Sequence, residues 1–177
     1  MNLKLLIEKK VLIDSGLTIK EIETIEQTYD IHFPQSLKEF LMQALPVSRG
    51  FYNWRDLGEE NVAKIKRAIT WPVEMVHEDA EEVYWCERWG RKPTERNEFV
   101  REVRERLRTA PKLIPIYGHR YMPMEGCNPP VLSVYGVDII YYGRDLRDYF
   151  EVEFGSKKQS EIDFKEILNV PFWSDIM

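Results

Sequence analysis

The sequence predicts an α+β fold: a single domain with a mainly antiparallel sheet flanked by helices. Three observations carry that expectation. The chain runs through helical patterns first, then a β-rich block at residues 111–143, then a helical pattern again, and that order is typical of α+β proteins. Within the block, the apolar runs Val131–Tyr135 and Val137–Tyr142 meet at Gly136, a residue suited to a positive φ in a reversing turn. So tight a join leaves no room for a parallel crossover, so the two runs form a hairpin. Finally, 177 residues are enough for one core, which buries roughly two-thirds of the unfolded surface, and no repeat or linker divides the chain.

Each element has its own signal. Leu3, Leu6, Ile7 and Val11 recur at helical spacing, which predicts a first helix over Asn2–Ile13 with Gly16 as its stop. Thr18 and Glu21 form a capping box ahead of a stripe of Ile19, Ile22, Ile25 and Tyr29. Pro34 biases Phe33 to an extended conformation, and a third helix follows over Gln35–Leu45 with Leu37, Phe40, Leu41 and Ala44 on one face. Ser48–Gly58 is irregular and aromatic. Val62, Ile65 and Ile69 mark a helix over Glu59–Ile69, which Trp71-Pro72 is expected to interrupt, with Pro72 opening the next helix. Thr94 is the expected N-cap of a helix to about Thr109 carrying Phe99, Val100, Val103 and Leu107 inward. Asp145 caps a helix with Leu146, Tyr149, Phe150 and Phe154 on its inner face, and Pro171–Asp175 is an apolar tail expected to dock on the body.

Composition narrows the function classes. A net charge of −5 and a pI near 5.4 argue against direct nucleic-acid binding, which needs a basic footprint. No apolar run approaches a membrane span, and the first ten residues lack the pattern of a signal peptide, so a cytoplasmic location is expected. Cys86 and Cys127 are far apart and belong to no metal-ligand or CxxC pattern. The three histidines lie on unrelated segments, so neither a metal nor a cofactor is expected.

Three constellations invite a chemical reading. His77-Glu-Asp-Ala-Glu81 begins like a zinc-binding HExxH helix, but Glu81 stands where the second histidine is required. Residues 73–87 contain no Lys or Arg. Glu78, Asp79, Glu81 and Glu82, with Trp85 and Trp89 nearby, therefore read either as a solvated acidic face or as a partner-binding rim with aromatic anchors. His119-Arg120-Tyr121 could supply an acid and an anion clamp, or Arg120 could pair with a local carboxylate while Tyr121 packs. Arg101, Arg104 and Arg108 share a helical face with Glu98, Glu102 and Glu105 interleaved, the pattern of an exposed, ion-paired helix. No nucleophile–base set, phosphate loop or nucleophile elbow is present, so no catalytic residue is assigned.

The Gly16-Leu-Thr-x-x-Glu21 start, the Phe33-Pro34-x-x-Leu37-Lys-x-Phe40-Leu41 segment and the later hairpin resemble the SUKH superfamily. Gly50-Phe51-x-x-Trp54-Arg55, Trp71-Pro72, Trp89-Gly90, Ile116-Tyr-Gly-His-Arg-Tyr121 and Val131-Leu-Ser-Val-Tyr135 look like a bacterial branch of it. That superfamily includes a yeast Knr-type regulator of cell-wall synthesis and bacterial immunity proteins that neutralise toxins. The resemblance implies an α+β domain, here with a helical insertion at about 59–109, and a non-enzymatic protein-binding role. The partner it implies is a protein, with a basic nuclease toxin as one candidate. The alternative is a small-molecule binder or hydrolase using His119 and Arg120.

Overall fold

The computed structural model describes residues 3–177. Its elements run α1 (Lys4–Glu8), β1 (Ile13–Ser15), α2 (Ile19–Tyr29), α3 (Gln35–Gln43), β2 (Ala44–Pro46), α4 (Glu59–Glu78), α5 (Arg96–Leu107), β3 (Leu113–Tyr117), β4 (Arg120–Pro123), β5 (Val131–Tyr135), β6 (Asp138–Gly143) and α6 (Leu146–Glu153). Strands β3 to β6 form an antiparallel meander in sequence order, and β1 pairs with β2 in a separate small antiparallel sheet. The fold is α+β.

Alternation along the strands gives the meander two apolar faces. Ile114, Ile116, Met122 and Val131 join Ile22, Ile25, Leu37, Phe40 and Phe150 in one buried cluster, under α2, α3 and α6. Leu113, Tyr121, Leu132, Val134 and Ile139 join Val76, Phe99, Val103 and Trp173 in a second, under α5, the end of α4 and the C-terminal tail. Each large apolar side chain buried in this way contributes about 1.5–3 kcal/mol. Packing therefore outweighs the cap at α2, where Thr18 and Glu21 do form the expected capping box and set where the helix starts.

The hairpin expected at Gly136 is present: Tyr135 pairs with Asp138, and Gly136 has φ +62°. A second two-residue turn, Gly118-His119, joins β3 to β4 with Tyr117 opposite Arg120. Because the meander reverses at each strand, both turns lie at the same end of the sheet.

Several expectations need correcting. The first helix stops at Glu8, since Lys10 adopts a left-handed φ of +58°, and Ile13 belongs to β1; Asn2, where that helix was expected to start, lies outside the described residues. The third helix ends at Gln43, because Ala44 turns extended to pair with Ser15. Gly16 has its own reason to be glycine: a Cβ there would sit 1.9 Å from the Met42 carbonyl oxygen. Ile19 lies in the first turn of α2 and is exposed, while Ile22, Ile25 and Tyr29 are buried.

The larger correction is α4, which runs unbroken through Pro72. Proline removes one helical hydrogen bond and costs about 3 kcal/mol. The apolar register of Ile65, Ile69, Pro72 and Val76 nevertheless stays in phase across it, and Ile65, Pro72 and Val76 are buried, so packing carries the helix through. At α5 the residue before the first turn is Glu95, not Thr94, and it makes no side-chain cap. The Asp145 cap and the docked tail are as expected: Asp145 accepts from the Asp148 N–H, and Phe172, Trp173 and Ile176 are buried.

Candidate functional site: an aromatic groove at the hairpin tips

The His119-Arg120-Tyr121 triplet divides in three directions. His119 stands on the turn, and alternation then sends Arg120 and Tyr121 to opposite faces of β4. Arg120 goes to the α6 side. Its Nε donates to Glu153 Oε2 at 3.2 Å, its Nη1 donates to Ser133 Oγ at 2.8 Å, and its guanidinium lies 3.7 Å from the Tyr142 ring centre. Arg120 thus pairs with a local carboxylate, the second of the two readings above. Its Nη1 also meets His119 Nε2. Partial burial, and then the charge of Arg120, push the imidazole below its ordinary pKa against an opposing pull from Glu153, so His119 is neutral at neutral pH.

Tyr121 goes to the α4 side and packs in the second cluster. It is only 2% exposed, and its hydroxyl has no hydrogen-bond partner among the described residues. Burial, reinforced by Tyr52, pushes that hydroxyl far above the ordinary tyrosine range, so it remains a proton donor. Tyr121 lines a groove of about 410 Å³ between α4 and the two turns. Tyr52, Trp71, His119 and Tyr135 form its walls, with Lys64 and Arg67 on the α4 side. Tyr135 is 69% exposed and lies 5.9 Å from Trp71 and 6.1 Å from His119 between ring centres. Tyr52 is fixed by donating its hydroxyl to the Gly118 carbonyl at 2.7 Å. The groove is mainly aromatic, and none of its lining residues is acidic.

The acidic segment looks different in three dimensions. Glu78 and Glu81 line a cleft of about 750 Å³ against α5, which supplies Arg96, Arg101, Arg104 and Arg108. Glu81 pairs with Arg96, and Arg104 donates two hydrogen bonds, at 3.0 and 3.2 Å, to the His77 carbonyl. A stretch that has one sign along the chain is therefore mixed in sign at the surface. Asp79 lies beside Gly136, and Glu82 lines a shallow neighbouring hollow with Lys92 and Pro93.

Trp85 and Trp89 are engaged inside the protein. Trp85 is buried and its indole N–H donates to the Gly90 carbonyl at 2.9 Å. Trp89 donates to Asp175 Oδ2 at 3.1 Å and stacks on Phe172 at 5.9 Å, while Arg106 lies 5.5 Å from the Trp85 ring centre and 5.1 Å from that of Trp89. Together they hold the C-terminal tail. Nearby, Tyr84 is well exposed, and Val76 and Val83 are buried.

Among the described residues, no three His, Cys, Asp or Glu side chains gather as metal ligands would, and no helix is long and apolar enough to cross a membrane. Cys86 and Cys127 are free thiols. The sequence reading missed Tyr52, Lys64, Arg67, Trp71 and Tyr135. A signal was available for the α4 members: positions 64, 67, 68 and 71 share one helical face. The expected break at Trp71-Pro72 hid it. Compared with family models, curated proteins and solved structures, the chain matches none.

Proposed function

We propose that this chain is a non-enzymatic protein-binding module, an immunity-type or regulatory protein of the SUKH kind that works in the cytoplasm by neutralising or scaffolding a protein partner. The partner docks on the groove at the hairpin tips. One observation carries this reading: Tyr135, 69% exposed beside Trp71 and His119, is a large aromatic presented to solvent at the mouth of a groove between α4 and the hairpin turns. Aromatic side chains next to such depressions are the usual anchors of protein interfaces. A nuclease toxin remains a partner class in keeping with the sequence resemblance.

The hydrolase alternative gains less support. It requires His119 and Arg120 to act on one substrate, yet the Arg120 guanidinium that meets His119 is already engaged by Glu153 and Ser133. The groove holding His119 is open and mainly aromatic rather than deep and polar. A photo-crosslinking residue placed at Tyr135, with one at Tyr84 as a control, will identify the bound protein in cells. The purified partner should then bind Y135A at least ten-fold more weakly than wild type. A partner that binds Y135A and W71A as tightly as wild type, with both variants folded, places the interface elsewhere and overturns the reading.

A further inference from the structure

Lys64 and Arg67 rim the groove one helical turn apart, and among the described residues neither makes an ion pair. On their other side Lys64 and Arg67 share a cleft with Asp56, Glu59 and Glu60, none of which comes within ion-pairing distance of either cation. The floor adds an unpartnered donor, the Tyr121 hydroxyl, on a side chain that is almost wholly buried. The hydroxyl oxygen itself is not among the buried polar atoms that lack a partner, so it opens on the groove, where a ligand acceptor can take the place of water. Two cations without an ion pair, a hydroxyl donor open to the groove and aromatic walls, with no carboxylate in the lining, define a site for an anion attached to an apolar group.

We infer that the groove accepts an acidic peptide segment of the partner: one aromatic or aliphatic side chain seats between Trp71 and Tyr135, and flanking carboxylates meet Lys64, Arg67 and the Tyr121 hydroxyl. This rests on the protein-binding reading above and names its partner chemistry. It also moves the electrostatic attraction away from the Glu78–Glu82 segment, where Glu78 and Glu81 already face arginines of α5. The partner itself can be basic overall; the segment that enters the groove is acidic. Charges on such a rim mainly set association rate and register, while the aromatic contact sets residence time.

The test uses the full chain labelled with nitrogen-15 and two acetylated, amidated pentapeptides, each with a central phenylalanine flanked by four glutamates or by four lysines. At low salt the glutamate peptide should shift the Trp71 indole and the Gly118 and His119 amides, with a Kd at least ten-fold below that of the lysine peptide. The difference should shrink as salt screens the rim. K64E/R67E should remove the preference or reverse it, and Tyr121→Phe should weaken the glutamate peptide several-fold while leaving the lysine peptide unchanged. If both peptides shift the same groove signals equally, the groove reading stands and the acidic-segment inference is wrong. Should neither peptide move those signals, both fall. Unchanged glutamate-peptide binding by folded K64E/R67E also overturns the inference.

Discussion

Trp173 offers the sharpest test of how the second core is closed. Its side chain is 0% exposed, and its indole N–H donates to the Pro111 carbonyl at 2.8 Å. Truncating a buried Trp to Ala costs about 3–5 kcal/mol through lost transfer energy and the cavity left behind. Leaving the Pro111 carbonyl without its donor adds about 1 kcal/mol more. For a chain of this length each kcal/mol moves Tm by about 2–4 °C, so Trp173→Ala should lower Tm by roughly 10–20 °C. Trp173→Phe keeps most of the packing and loses the N–H, so its cost should be about 1–2 kcal/mol, or roughly 3–6 °C. Thermal melts followed by far- and near-ultraviolet circular dichroism would measure both. A Trp173→Ala protein melting within about 3 °C of wild type would refute the reasoning, because such a small shift means the tail contributes little to the core.

Three further outcomes are expected. Glu153→Ala should destabilise by about 3 kcal/mol, because it leaves the Arg120 charge buried without its carboxylate, whereas R120M/E153L should fall within about 1 kcal/mol of wild type; the pair is only 12% and 20% exposed. Equal urea midpoints for the single and double variants would contradict this. Gly16→Ala should cost about 2 kcal/mol or more, since the new Cβ meets the Met42 carbonyl, and should speed exchange of the Leu17 amide that donates to Leu41; unchanged exchange would count against it. The Arg55 hydrogen bond, followed by the Thr18 cap, lowers the Glu21 pKa from 4.5 to about 2. A carboxylate with a depressed folded pKa stabilises above its unfolded value, and that contribution is lost as pH falls from about 4.5 towards 2. Urea midpoints of Glu21→Gln should therefore converge on wild type at the acid end of that window, and a constant gap between the two would count against it.

The sequence revealed elements whose signal is local. Ile22, Ile25 and Tyr29 behind a capping box, and two β-rich runs meeting at Gly136, needed no distant partner to be read. The short β1–β2 pair escaped notice because three-residue strands carry almost no periodic pattern, and Ala44 looked equally good as a helical residue. Pro72 was weighed as a breaker on intrinsic preference alone, and the tertiary packing of Val76 and Ile65 overrode it. The candidate site was harder still. Its walls come from residues 52, 64–71, 118–121 and 135, and a single sequence does not specify that these segments meet. The same limit made the acidic run look one-signed, because the arginines facing it lie on another helix.

Pro72 also bears on how the groove behaves mechanically. Having no N–H, it cannot bond the Ala68 carbonyl, and Ala68 lies in the groove lining between Arg67 and Trp71. The wall is therefore a rod with one missing rung, located between Ile65, which fastens the cation-bearing half of α4 to the first core cluster, and Val76, which fastens the other half to the second. A helix flexes most readily at such a joint. Each half is held by its own buried residue, so the stretch 68–72 is where the wall relies on side-chain packing in place of a backbone hydrogen bond. The groove thus lies between two hydrogen-bonded hairpin turns on one side and, on the other, a helix whose backbone ladder is incomplete at the level of Trp71.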